Sequence, residues 1–171
     1  MNHLASIALL ISTTISYQVA ASDIYTVYLV RHADKDTSDK TNRDPSLTIC
    51  GEQRANQLAT MLKHIEINTV YSTDYKRTQA TAAPVARSKS LTVTSYNPRN
   101  LDTLTKEIVK KKSNALVVGH NSTTNVVAGN LAGIELPVID HEEYDRLYQV
   151  TITSGGARLQ ILNQGFVCNN Q

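Results

Sequence analysis

Short β-branched and aromatic runs alternate along the chain with longer segments of helical period. Residues 24–30 (IYTVYLV) form a dense apolar run, which predicts a central strand buried on both faces. Further strands are predicted at 68–72, 91–96 and 115–118 (ALVV). Between them, Thr48 is placed to cap a helix whose Ala55, Leu58, Ala59, Met61 and Leu62 share one face. Residues 74–86 read as a second helix, in which Pro84 either introduces a kink or marks the last turns. Residues 101–112 predict a third helix, and 122–131, with Ser122 as its cap, a fourth. Residues 147–153 and 157–162 predict two strands joined by a turn at Ser154-Gly155-Gly156. Strands that alternate with helices indicate βα units, hence an α/β fold around a mainly parallel sheet. No repeat or low-complexity linker divides the chain, so one domain is expected.

Charge adds a second boundary. The chain has 171 residues with 17 Lys+Arg and 15 Asp+Glu, a net charge of +2, yet the first charged side chain is Asp23. Residues 4–11 (LASIALLI) have the length of a signal-peptide apolar core, and Val19-Ala20-Ala21 supplies small residues at −3 and −1 of a cleavage site. A signal peptide is therefore expected over residues 1–21, a domain over 22–171, and a periplasmic or secreted destination. A spanning helix needs about 20 predominantly apolar residues, and Ser6, Ser12, Thr13, Thr14, Ser16 and Gln18 interrupt this stretch. No stable membrane span is expected after cleavage. The net charge is too mild to imply nucleic acid, and no basic stripe interleaves with aromatics. Lys110, Lys111 and Lys112 fall at a predicted helix end, where lysines suit the macrodipole. Two cysteines without a C-x-x-C spacing exclude a zinc knuckle and a thioredoxin-type motif. In an oxidising compartment Cys50 and Cys168 can pair, and the sequence leaves both the paired and the unpaired state open.

In an open parallel sheet, ligands bind in the crevice outside the carboxyl ends of the strands. The first predicted strand ends in Arg31-His32, the second is followed by Lys76 and Arg77, and ALVV ends in Gly119-His120. Two arginines and two histidines on one rim repel unless an anion joins them. Phosphate is the anion that best matches planar guanidinium forks, and helix N-termini after the strands add N–H donors. These residues point to a phosphate site with imidazole available for chemistry.

The same segments carry a family resemblance. Leu29-Val30-Arg31-His32-Ala33-Asp34-Lys35, the run 47–55 (LTICGEQRA), the run 71–82 (YSTDYKRTQATA) and Val117-Val118-Gly119-His120-Asn121 resemble, in order, four landmarks of the histidine phosphatase superfamily, the phosphoglycerate-mutase-like proteins. Residues 143–150 (EYDRLYQV) also resemble the closing strand of small exported members. The resemblance implies a three-layer α/β/α sandwich around a mostly parallel sheet and a reaction that needs neither metal nor cofactor. It implies that His32 is the nucleophile and that Arg31, Arg77 and His120 bind the phosphoryl oxygens. Ala33 stands where the family usually has glycine. The family supplies a general acid, Glu or Asp, after the third strand. Here the segment 96–102 (YNPRNLD) offers Asp102 alone, which makes it the candidate acid. Asp34 is the other candidate, read otherwise as a loop carboxylate paired with Lys35 or Arg43.

The leading expectation is a metal-independent phosphatase that hydrolyses a small phosphomonoester, a sugar phosphate or an envelope glycolipid phosphate, through phosphohistidine. Members without the acid are phosphohistidine protein phosphatases, because an imidazole leaving group needs less protonation than an alkoxide; export disfavours that substrate. A catalytically silent phosphate-binding module is a further alternative. A metal hydrolase using His32-x-Asp34 with His120 has no supporting ligand spacing. His64 is expected at the surface, and His141 in a local ion pair beside Asp140, Glu142 and Glu143. The sequon Asn121-Ser122-Thr123 is discounted, since a glycan there would obstruct the rim. Thr78 is expected to pack or to bond Arg77.

Overall fold

The computed structural model describes residues 24–168, so the expected signal peptide lies outside the described residues. The strands are β1 (Tyr25–Arg31), β2 (Thr69–Ser72), β3 (Val93–Ser95), β4 (Ala115–Gly119), β5 (Arg146–Thr153) and β6 (Gly156–Asn163), and the helices α1 (Ile49–Met61), α2 (Lys76–Ser88), α3 (Leu101–Lys111) and α4 (Thr124–Ala132). The sheet order is β3-β2-β4-β1-β5-β6. The pairs among β1 to β4 are parallel, whereas β5 and β6 run antiparallel. The mainly parallel α/β sheet expected from the alternating pattern is present.

Side-chain alternation along the central strands sorts the core into two halves. Val27 and Leu29 of β1 and Val117 of β4 pack with Leu104 and Ile108 of α3 and Val127 and Leu131 of α4. Tyr28, Val30, Leu116 and Val118 point the other way, toward Leu58 and Leu62 and toward Ala82 and Val85 of α2. Helices thus cover both faces, which gives the three layers. The chain leaves β1 through α1 toward the β3 edge and leaves β4 through α4 toward the β6 edge, on opposite faces. Adjacent strands whose connections diverge in this way open a crevice at their carboxyl ends.

Thr48 caps α1 as expected, its hydroxyl accepting the Gly51 N–H at 3.0 Å. Ser122 does not cap α4. That helix begins at Thr124 after the N-cap Thr123, whose hydroxyl instead accepts the N–H of His120 at 2.9 Å. The expected cap is thereby spent on fixing the turn that carries His120. Helix α2 begins at Lys76 rather than 74 and continues past Pro84 to Ser88. Cys50, in the first turn of α1, is disulfide-bonded to Cys168, with the Cα atoms 5.7 Å apart, which resolves the pairing that sequence left open.

Candidate active site

Arg31 and Gly119 are register partners at the carboxyl ends of β1 and β4, and the next N–H, that of His32, donates to the Gly119 carbonyl at 2.9 Å. The two strand ends therefore deliver His32 and His120 side by side, with ring centroids 5.6 Å apart. His32 is 3 % exposed. Its Nδ1 lies 2.9 Å from the Ala33 carbonyl oxygen, and since a carbonyl only accepts, Nδ1 carries the proton and Nε2 keeps its lone pair. Burial lowers the His32 pKa to about 3; the Ala33 bond opposes this, and the charges of Arg31, Arg77 and His120 add to the lowering.

The His120 ring is oriented by a relay of hydroxyls. Thr78 Oγ1 lies 2.9 Å from the Thr73 carbonyl and 2.8 Å from the Tyr75 carbonyl, so its proton is committed to backbone. Thr73 Oγ1, 2.8 Å from Thr78 Oγ1, must then donate to it. The remaining contact, His120 Nε2 to Thr73 Oγ1 at 3.2 Å, is accordingly an Nε2–H donor. Burial first, then Arg77, Arg31 and Lys35, lower the His120 pKa to about 4. Thr78 thus serves His120 through Thr73 and makes no bond to the Arg77 side chain.

Each arginine lies against a tyrosine. The Arg31 guanidinium is 4.1 Å from the Tyr144 ring centroid, and that of Arg77 is 4.5 Å from the Tyr75 centroid. Tyr75 stands edge-on to His120 at 5.1 Å. Arg31 Nη1 donates to the carbonyls of Asp140, His141 and Glu143 at 2.9, 2.8 and 3.0 Å, which leaves its other nitrogens for a ligand. The Nε–H groups of Arg31 and Arg77 are both buried without a hydrogen-bond partner. Such orphaned cationic donors are costly unless an anion satisfies them. Burial lowers the pKa of both guanidiniums, which an arriving anion would oppose.

The loop behind His32 is firmly held. The Ala33 N–H donates to Thr81 Oγ1 at 2.9 Å, and the Thr81 hydroxyl donates to the Arg77 carbonyl at 2.7 Å, which ties the two anion-facing segments together. The Ala33 methyl packs against Leu47 and Ala55, and its φ is not positive, so alanine fits where the resemblance leads one to expect glycine. Asp34 pairs with Arg54, Oδ2 to Nε 2.7 Å, and not with Lys35 or Arg43. Arg54 in turn lies 5.0 Å from the Phe166 ring centroid. The Asp34 carboxylate is therefore held by Arg54, while its charge still reaches Arg31 and Tyr144. Among the described residues no cluster of three or more His, Cys, Asp or Glu side chains is placed to hold a metal ion.

Asp102 is exposed in the first turn of α3, where its carboxylate accepts from the Asn130 amide at 3.5 Å. No hydrogen bond or ion pair joins it to Arg31, His32, Arg77 or His120 among the described residues. His64 and His141 are exposed; His141 serves the site through its backbone carbonyl instead of a side-chain ion pair. Sequence reasoning did not single out Tyr75, Tyr144, Thr73, Thr81 or Asp44. The first four sit inside or beside the landmark segments, but nothing in their type marks them as facing the rim. A cleft of about 660 Å³ adjoins Tyr75, with Asp44, Asp74, Ser95, Asn97 and Arg99 also on its walls.

Residues 27–102 match the family model of the histidine phosphatase superfamily, branch 1. The probable phosphoglycerate mutase GpmB of Escherichia coli O1:K1 / APEC and that of Escherichia fergusonii are each 34% identical over 96 residues, covering 47% of this chain and 45% of theirs. The chain thus spans less than half the length of these curated relatives. Among solved structures, the α-ribazole phosphatase of Shigella flexneri superposes with a TM-score of 0.66 at 15% identity, over 85% of this chain and 100% of that one. The mycobacterial glucosyl-3-phosphoglycerate phosphatase gives 0.65 at 15%, over 82% and 99%. The protein histidine phosphatase SixA, solved with tungstate, gives 0.65 at 18%, over 81% and 97%. At such identities these likenesses speak for the fold.

Proposed function

Because the chain belongs to the histidine phosphatase superfamily, we propose that it is a metal-independent phosphatase that hydrolyses a small phosphomonoester through a phosphohistidine on His32. The observation that carries this reading is the pair of buried, unpartnered Nε–H groups of Arg31 and Arg77 beside an imidazole whose Nδ1–H is held on the Ala33 carbonyl. His32 Nε2 attacks phosphorus while Arg31 and Arg77 neutralise the charge spreading over the phosphoryl oxygens. His120 keeps Nε2–H on Thr73, and the negative charge of a bound phosphoryl group favours its imidazolium form, whose Nδ1–H is then a further donor to that group. Water releases phosphate from His32 in the second step.

A sugar phosphate or an envelope glycolipid phosphate is the substrate class in this reading. The polar cleft beside Tyr75 supports it, since its carboxylate, hydroxyl, amide and guanidinium walls suit a hydroxyl-bearing leaving group. The uncharged start of the chain and its small residues at 19–21 support a periplasmic or secreted enzyme.

The purified protein is expected to hydrolyse p-nitrophenyl phosphate in the presence of EDTA. Rapid quenching should trap a phosphoenzyme that is stable to alkali and labile to acid, and His32→Ala should abolish both turnover and label. Loss of activity in chelator, or turnover unchanged in His32→Ala, would overturn the reading. Phosphate binding without turnover would identify a silent module, and turnover confined to phosphohistidine would identify a protein phosphatase.

A further inference from the structure

We propose that Asp44, on the loop between β1 and α1, is the proton donor to the leaving group. The inference rests on the phosphatase reading and supplies the acid that reading lacks. Asp44 reaches the site across 33 residues of chain. Its Oδ1 lies 3.5 Å from Arg77 Nη1 and accepts the Lys76 N–H at 3.0 Å. The N-cap residue of α2, Tyr75, makes no side-chain cap bond, so Asp44 supplies that cap from a distant loop and its carboxylate is fixed at the helix N-terminus.

Its position is what a leaving-group acid requires. Asp44 touches a guanidinium that would hold the phosphoryl group and also lines the cleft beside Tyr75. A phosphoryl group on Arg77 with its leaving group in that cleft brackets the Asp44 carboxylate between them. Of the other carboxylates nearby, Asp34 is paired with Arg54, Asp74 with the Ser95 hydroxyl, Glu143 with Arg146 and Asp102 with Asn130. Glu142 acts on Arg31 and Tyr144 through its charge, but among the described residues only Asp44 both contacts Arg77 and lines the cleft beside Tyr75.

Substrate binding itself charges the acid. When the phosphoryl oxygens take Arg77, Asp44 loses its cation and gains an anionic neighbour, and both changes favour the protonated carboxyl. A phosphomonoester monoanion carries a proton with a pKa of about 6, and that proton can pass to Asp44. The P–O bond to the leaving group then breaks with its electron pair on oxygen, which takes the Asp44 proton, while the His32 Nε2–P bond forms. In the second step Asp44 accepts a proton from the attacking water as the P–N bond breaks and its pair returns to Nε2. The acid is regenerated and the sum of the two steps is hydrolysis.

The test compares phosphomonoesters of different leaving groups. In Asp44→Asn, kcat/KM for glycerol 2-phosphate should fall by about 10²–10⁴-fold, the range of general acid catalysis, and that for p-nitrophenyl phosphate by less than about tenfold, because nitrophenolate leaves without a proton. The asparagine carbonyl still accepts the Lys76 N–H, and should Asp44→Asn fail to fold, Asp44→Ser keeps a cap without an acidic proton and must show the same split. Asp44→Glu should recover part of the glycerol 2-phosphate activity, which a purely structural role does not predict. Equal losses on both substrates, or a split found in Asp102→Asn instead, would overturn the assignment. If the unsubstituted protein turns over neither substrate and traps no phosphoenzyme, the phosphatase reading fails, and this one falls with it.

Discussion

The backbone N–H of His32 donates to the carbonyl of Gly119 at 2.9 Å, so the spacing of the two imidazoles is set by the register of β1 on β4 and not by a loop. A Cβ on Gly119 would lie 2.6 Å from the Tyr96 hydroxyl and 2.8 Å from Thr123 Oγ1, closer than side chains tolerate. Gly119→Ala should therefore displace His120. A misplacement of about 1 Å can cost about 10²-fold in rate, and overpacking about 1–3 kcal/mol. Retained kcat/KM with an unchanged melting temperature would show that the turn adapts without moving the histidine.

The two arginines should respond differently to lysine. Arg77→Lys should lower kcat/KM by about 10²–10³-fold, the usual effect of losing one oxyanion donor. It should do so with a small change in melting temperature, because its protein partner Asp44 has a side chain 37% exposed. Arg31→Lys should lower both activity and melting temperature, since Arg31 also satisfies three carbonyls of residues 140–143. Thermal unfolding run beside the kinetics decides this, and equal melting temperatures for the two variants would refute the difference.

Acid should destabilise the fold through His32. Its pKa in the folded chain, about 3, lies below its ordinary value of 6.5. Between these values the unfolded chain binds a proton that the folded chain refuses, so stability rises with pH across that window and is lost as pH falls. The slope for one such group is about 1.4 kcal/mol per pH unit, hence about 2 kcal/mol between pH 6.5 and 5. His32→Asn removes this titration but leaves that of His120, whose pKa is lowered to about 4, and so should make the decline in melting temperature from pH 7 to 5 about half as steep. Identical profiles for the two proteins would contradict a buried, neutral His32.

Reduction should loosen the brace behind His32. The Cys50–Cys168 bond closes a sequence separation of 118 residues, for which the chain-entropy model gives about 4–5 kcal/mol. The tail it secures carries Phe166, against which Arg54 lies while it holds Asp34. Cys50→Ser should lower the melting temperature and also the phosphatase activity, whereas an equal melting temperature in oxidised and reduced protein would show that the bond adds nothing.

Much of this arrangement was legible in the chain. The strand-end residues Arg31, His32 and His120 follow from apolar runs that stop at charge, and Arg77 from its place after the second strand. Local patterning carries such information because a strand's end fixes where its next side chains stand. Asp44 was not legible, since its position depends on a contact 33 residues away and its own surroundings read as a polar loop. Asp102 shows the converse: its place after the third strand suited an acid, yet the first turn of α3 leaves it exposed beside Asn130. Ser122 is not the cap for a related reason: Thr123 is drawn back to the His120 N–H and the helix starts later.

The disulfide also bears on how the molecule is made. Cys50 leaves the ribosome more than a hundred residues ahead of its partner, so a chain released before residue 168 has no sulfur with which to complete the first helix's tether. Closure of that bond therefore waits for the whole tail and for an oxidising compartment: the support of the His32 loop is completed only on chains that carry residue 168.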